Sequence, residues 1–324
     1  MKKVLILTNK DDITVDFVVM ELQKRKIDYY RLNMDDIPEK IKVCFDFNKE
    51  EFKIIDTIKN IVVNLGEVTS VYFRRPLLNK LEYIEELNSQ EKIYLTSELA
   101  FIHEGIYKIL ENKYWLNNVY DIREAENKIY QLQLAKEVGF KIPMAFIGNE
   151  YDDIKKFSEK LDCNCIIKPI KSGNMKDLIS PKVIYTTKLE EKQILKKESI
   201  EAFPVFIEEN VKKKIDLRCI VVGNEVFTAE IYSQEYQESK IDWRKSKQIL
   251  EHRIHDLPEN IKAMCVKLTH KLNLNYSAID LILDSNDNYV FLEINPNGQW
   301  AWLEKRLKFP ISKTIVDILV KEEK

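Results

Sequence analysis

Residues 276–298 read Tyr-Ser-Ala-Ile-Asp-Leu-Ile-Leu-Asp-Ser-Asn-Asp-Asn-Tyr-Val-Phe-Leu-Glu-Ile-Asn-Pro-Asn-Gly. Two apolar runs flank the polar stretch from Asp284 to Asn288, the pattern of an antiparallel hairpin with strands over 278–283 and 289–295. With Leu283 opposite Val290, the ladder sets Asp280 opposite Glu293, and Asn295, two residues on, projects to the same face. Like charges opposed across a ladder destabilise it, and carboxylates on mostly apolar strands need compensation. Two carboxylates and an amide oxygen are hard ligands, suited to Mg²⁺ bridging nucleotide phosphates. The competing reading is an ordinary amphipathic hairpin with both acids in solvent, and a one-residue slip separates the two.

Two lysines bear on that choice. Lys128 belongs to an expected helix, where a solvated lysine is the usual case. Lys168 ends the apolar run Cys165-Ile166-Ile167 directly before Pro169, and a lysine leaving a buried strand needs an anion. The loop Lys171-Ser172-Gly173-Asn174 has one glycine and would cover phosphates through backbone N–H groups. Further on, Phe206-Ile207-Glu208-Glu209-Asn210-Val211 reads as a strand entering a polar linker, whose backbone would meet a purine edge while Glu208 takes the exocyclic amine. Asp216 and Arg218 lie two apart on the next strand, hence on one face. They are a carboxylate for ribose hydroxyls and a fork for phosphate oxygens, or else a surface ion pair.

The surrounding chain is that of a globular protein. Its 324 residues are 45% hydrophobic and 32% charged, with only 7 Gly and 9 Pro, which excludes disorder and low-complexity arrays and favours two or three subdomains. Lys plus Arg total 51 against 53 Asp plus Glu, without the basic bias of a dedicated nucleic-acid binder. Five scattered cysteines lack framework spacing and fit reduced thiols in a cytoplasmic protein. The apolar run Val4-Leu5-Ile6-Leu7 is too short for a signal peptide, and no run approaches the ~18 residues of a membrane span. His252-x-x-His255 and Cys163-x-Cys165 have no second ligand pair at zinc spacing.

A strand over 4–7, a helix over 14–25 and a strand over 27–32 form a βαβ opening, favouring an α/β N-terminal domain. The turn Thr8-Asn9-Lys10-Asp11-Asp12 has no glycine, which argues against a dinucleotide fingerprint. A hairpin over 42–47 and 52–55, a strand over 71–73 and helical sequence from about 81 to 116 follow. Asp121-Ile122-Arg123-Glu124 fits a capping box opening a helix through Val138 that Gly139 closes. Strands and helices alternate over 144–198, and strands dominate from Pro204, giving two facing α+β subdomains. The expected division is 1–115, 116–202 and 203–324.

In this order, the helix lysine, Lys-Pro after a strand, Glu-Glu-Asn-Val, Asp-x-Arg and Asp…Glu-x-Asn resemble the ATP-grasp ligases over about residues 115–319. The resemblance implies an α/β and α+β architecture, with two α+β subdomains clasping ATP behind a pre-ATP-grasp α/β domain. It implies Asp280, Glu293 and Asn295 as Mg²⁺ ligands, Lys128 and Lys168 as nucleotide-contacting lysines, Glu208, Glu209 and Val211 as the adenine hinge, and Asp216 as the ribose carboxylate. The catalytic candidates are Arg218, to hold the γ-phosphoryl or acyl phosphate, and Arg244, whose neighbour Trp243 suits carboxylate recognition.

A narrower resemblance rests on Tyr72-Phe73-Arg74-Arg75-Pro76, Glu126-Asn127-Lys128 and Asn295-Pro-Asn-Gly-Gln-Trp-Ala-Trp-Leu-Glu304. These are similar to the ligases that cyclise graspetides of the microviridin and plesiocin type. Such enzymes join Glu or Asp side chains of a ribosomal precursor peptide to Ser, Thr or Lys side chains. The resemblance implies ω-ester or ω-amide macrocycles, a leader-plus-core precursor as partner, no nucleic acid or membrane, and a homodimer. The glycine-poor loop departs from richer versions in the superfamily, so none of its residues is assigned as a ligand. Arg74 and Arg75 would either bind an acidic peptide or be solvated, while Trp300 and Trp302 would pack the metal loop. Two other readings remain: a glutamate-adding ligase, and an inactive nucleotide-binding scaffold, which would have lost metal ligands that this chain retains.

Overall fold

The computed structural model describes residues 3–171, 173–175, 182–194 and 196–321. The chain forms two compact units: Met1–Ile122 with Leu274–Tyr276 and Gln299–Lys324, and Arg123–Asn273 with Ser277–Gly298.

In the first unit, strand Lys3–Thr8 keeps Val4 to Leu7 wholly buried, as a parallel strand covered on both faces must. It pairs in parallel with Asp28–Asn33 on one side and Ser70–Phe73 on the other, and Ser70–Phe73 pairs with Tyr114–Leu116. Helix Thr14–Lys24 buries Val15, Val18 and Leu22, one stripe at helical spacing. A separate antiparallel sheet joins Ile41–Asp46, Glu51–Asp56 and Ile61–Asn64, so the expected hairpin has a third strand.

The helical stretch expected from 81 to 116 is shorter. Helix Ser89–Ile109 starts at a reciprocal capping box between Asn88 and Glu91, and Tyr114–Leu116 is a sheet strand. Arg74 also departs from expectation, being neither solvated nor presented to a peptide. It is 1% exposed, donates from Nη2 to Gln299 Oε1 at 2.8 Å and lies 3.5 Å from Asp12. Arg75 is exposed. Trp300 is fully buried, edge-on to Phe17.

The second unit holds two larger sheets, besides a two-stranded ribbon of Asn174–Met175 and Lys182–Val183. The first has the order Thr187–Lys188, Cys165–Lys168, Val205–Glu209, Ala145–Gly148, over a core of Ile154, Cys165, Leu189, Ile194, Ile200 and Ile207. The second has the order His252–Ile254, Glu225–Ile231, Lys213–Val222, Tyr276–Asp284, Tyr289–Asn295. The sheets change over at residues 210–212. The first therefore extends past residue 202, and the stretch 203–324 contributes to both compact units.

The single helix expected from a cap at Asp121 is two helices, Val119–Ala125 and Lys128–Val138. Asn118 accepts from Tyr120 N in front of the first. Asn127 accepts from Ile129 N and Tyr130 N and starts the second, which Gly139 ends at φ 109°. The break makes Lys128 the first residue of a helix. Among the described residues no helix is long and apolar enough to cross a membrane.

Asn127→Ala removes the acceptor for two otherwise unbonded amides. It should lower stability by about 1 kcal/mol, read as a shifted midpoint in urea denaturation.

Candidate active site

The closing ribbon carries the expected acid pair, by a different route. Near the turn, Leu283 pairs with Tyr289 and Ile282 with Val290, one residue out of the expected register. A bulge between Asp280 and Leu281 takes up Leu292 on the opposite strand, after which Asp280 faces Glu293 and Ala278 faces Asn295. The turn is held by Asp284, which accepts from Asn286 N, Asn288 N and Lys141 Nζ. These partners outweigh its desolvation and depress its pKa.

Each acid has its own cation. Arg218 Nη1 donates to both oxygens of Asp280 at 2.9 Å. Lys128 Nζ lies 3.1 Å from Glu293 Oε2 and also donates to Pro169 O at 3.2 Å. The helix carrying Lys128 is registered on the strand carrying Glu293 by Gln131, one turn on. Its amide donates to Ile294 O at 2.8 Å and accepts from Ile294 N at 3.2 Å. Gln131 was not legible as a positioning residue, since a polar helix residue usually faces water.

Lys168 meets the anion that its sequence position requires. Its Nζ lies 2.7 Å from Glu208 Oε1 and 4.5 Å from the centre of the Phe206 ring, with Lys168 9% and Glu208 1% exposed. The register pairs Phe206 with Lys168 and places Glu208 two residues on, which is why these three share a face. Burial raises the Glu208 pKa, against the pull of Lys168 and Lys128. At Glu293, burial opposes ionisation, but Lys128, Lys168 and Arg244 overcome it and hold the pKa at about 2. At Asp280, burial dominates and raises the pKa, with Glu293 adding to it and Arg218 opposing.

Other expected residues fall at varying distances from this cluster. Glu209 is tied to Met144, accepting from its N at 3.3 Å and donating to its O at 2.8 Å. Val211 N closes a turn onto Glu209 O at 3.1 Å. Asp216 is 4% exposed and engaged by Lys213 Nζ and Ser233 Oγ, while Arg218 turns to Asp280, so the two do not form an ion pair with each other. Arg244 forks onto Asp242, donating from Nε at 2.9 Å and Nη2 at 2.7 Å. The Asp242 bond raises the Arg244 pKa, to which the charges of Glu293 and Asp280 also contribute. Ser172 of the expected phosphate loop lies outside the described residues. His255 is engaged by Glu230 at 2.7 Å and Tyr289 at 3.0 Å.

Gly298 also belongs to this arrangement. A Cβ there would collide with Ala278 and stand 2.6 Å from Arg218 Nη2, so only hydrogen fits beside the guanidinium. Among the described residues no three His, Cys, Asp or Glu side chains converge as a metal site. The expected ligands Asp280, Glu293 and Asn295 would offer two acids and an amide, all hard oxygens, and Glu293 is ionised at neutral pH. That chemistry fits Mg²⁺.

Lys168→Met should cost about 3 kcal/mol at pH 8, because it leaves buried Glu208 without its cation. Glu208 has a folded pKa above its unfolded value, and losing Lys168 raises it further. Its contribution is thus present at low pH and lost as pH rises through the folded value. Urea melts should show a larger loss at pH 8 than at pH 5, and equal losses would contradict the pairing.

Comparison with known proteins identifies the domains that carry these residues. A model of the RimK-like ATP-grasp domain matches residues 125–319, and one of the MvdD pre-ATP grasp domain matches residues 3–123. A probable alpha-L-glutamate ligase of Pectobacterium carotovorum subsp. carotovorum (strain PC1) is 21% identical over 284 residues, 87% of this chain and 89% of that protein. A RiPP-associated ATP-grasp ligase of Chryseobacterium gregarium, solved with ADP and a leader and core peptide, is 28% identical, with a TM-score of 0.88 over 98% of this chain and 96% of that one. The macrocyclase MdnC of Microcystis aeruginosa MRC, solved with its precursor peptide MdnA, is 26% identical, with a TM-score of 0.86 over 99% of this chain and 100% of that one. With its cations and acids gathered on that domain, the chain belongs to the RimK-like ATP-grasp family, an ATP-grasp ligase behind an MvdD-type pre-ATP-grasp domain.

Proposed function

We propose that this ligase activates Glu or Asp side-chain carboxylates of a ribosomal precursor peptide with ATP and joins them to Thr, Ser or Lys side chains, closing ω-ester or ω-amide rings. The observation carrying this reading is the acid pair Asp280–Glu293 contacted by Arg218 and Lys128 and within the electrostatic reach of Lys168 and Arg244. The likeness to ligases solved with leader, core and precursor peptides supports the substrate class.

A carboxylate oxygen is a poor leaving group, so the carboxylate must first take the γ-phosphoryl group of ATP. The nucleophile then displaces phosphate from the acyl phosphate. Lys128 and Lys168 would hold the phosphate chain, and Arg218 the transferring group or the acyl phosphate, stabilising charge by position. Glu208, Glu209 and Val211 would line the adenine hinge. Asp280, Glu293 and Asn295 would hold Mg²⁺, which when bound neutralises charge on the phosphates. Arg244 would meet the substrate carboxylate.

The glutamate-adding reading has one observation in its favour, the similarity to a probable alpha-L-glutamate ligase. Incubation with ATP, Mg²⁺ and a Glu- and Thr-rich leader–core peptide distinguishes the two by mass. Loss of one water per linkage fits ring closure, and gain of a glutamate residue fits the alternative. Glu293→Gln should cut ADP release on the order of 10²-fold or more. Unchanged release would remove Glu293 from the metal set.

A further inference from the structure

The segment 232–245, between the strands Glu225–Ile231 and His252–Ile254, is a loop of three single-turn 3₁₀ helices: Ser233–Glu235, Gln237–Ser239 and Trp243–Lys245. Its last turn carries Arg244, whose side chain is exposed, and a largely buried network holds the loop. Lys213 Nζ reaches Asp216 Oδ1 at 2.9 Å and Oδ2 at 2.8 Å, and donates to Ile241 O at 3.2 Å, gripping strand and loop together. Asp216 also accepts from Ser233 Oγ, which itself accepts from Gln234 Nε2 at 2.9 Å. Ser239 Oγ donates to Ser233 O at 2.6 Å. At the far end Asp242, 5% exposed, accepts from Thr186 N at 3.2 Å and from Arg244 N at 3.1 Å, besides taking the guanidinium fork.

An acid that is 4% exposed and shared between an ammonium and a hydroxyl has little accepting capacity left for a ribose. We infer that Asp216, with Lys213 and Asp242, is a positioning residue for Arg244, fixing the loop whose guanidinium addresses the substrate carboxylate, and is not a nucleotide ligand. The fork uses Nε and Nη2 of Arg244, so the orientation of the remaining edge is set by Asp242. The Asp242 position is set by the loop, and the loop by Lys213 and Asp216. The inference rests on the proposed role of Arg244 for its catalytic meaning, but the physical coupling does not.

The test therefore has one arm without catalysis. The Arg244 Nε–H resonance, assigned by its loss in Arg244→Lys, should be protected from solvent exchange in the wild-type protein. Asp216→Asn and Lys213→Met should abolish that protection while leaving the Arg218 Nε–H resonance in place, which controls for folding. ATP affinity by calorimetry should be unchanged in both variants. On a peptide that the wild type cyclises, Asp216→Asn should lower turnover by about tenfold or more, and should add nothing to the loss in Arg244→Ala. Retained Arg244 protection in Asp216→Asn, or an ATP affinity weakened about tenfold, would overturn the inference. Failure of the wild type to process peptides would count against the proposed substrate and leave the resonance and calorimetry arms to decide the positioning. Where Lys213→Met does not fold, Ser233→Ala removes one grip on Asp216 and should show the same sign with a smaller effect.

Discussion

Two carboxylates facing each other across a β-ladder repel, and each is largely buried. Everything around Asp280 and Glu293 answers that constraint. Arg218 and Lys128 contact them directly, Gln131 holds the Lys128 helix on the strand of Glu293, and Gly298 leaves room for the Arg218 guanidinium. Lys168 and Glu208 add a third pair on the neighbouring sheet. Buried ion pairs are a poor source of net stability, since desolvation offsets most of the attraction. Their presence in such density fits a surface arranged for charged chemistry more than one arranged for folding.

Those pairs also explain why the two acids titrate apart. Glu293 has several cations to offset its burial, whereas Asp280 is opposed by Glu293 itself and its pKa is raised. Neighbouring carboxylates with diverging affinities for protons are the usual outcome when one charge is better compensated than the other.

Much of this was legible in the chain. The βαβ opening, the final hairpin and the Gly139 helix end follow from period and turn chemistry, and the position of Lys168 at the end of an apolar run required an anion that the strand register supplies. The anion was Glu208, however, a residue whose type and place had suggested an adenine contact. The Gln131 clamp on Ile294 and the Lys213 bond to Ile241 O join residues far apart in sequence and carry no local pattern. The Asp242–Arg244 fork, two residues apart, depends on a loop conformation that charge spacing alone does not set. Arg74 failed for a related reason: an arginine after a short strand resembles a solvated charge until Gln299 and Asp12, far away in sequence, enclose it. The helix break before Lys128 depended on Asn127, a cap competing with a plausible one at Asp121.

The ribbon reached the expected acid pairing through a compensating irregularity, and that has a cost in symmetry. Side chains alternate without exception along a regular strand, so Leu292 acts as a half-turn in the fabric: residues beyond it show the side that those nearer the tip conceal. A ladder that kept the tip's register without the bulge would set Leu292 opposite Asp280 and turn Glu293 and Asn295 to the other face. Regularity and the meeting of the two acids are opposed at this single link, and the irregular stitch is the one that keeps both acids on one face.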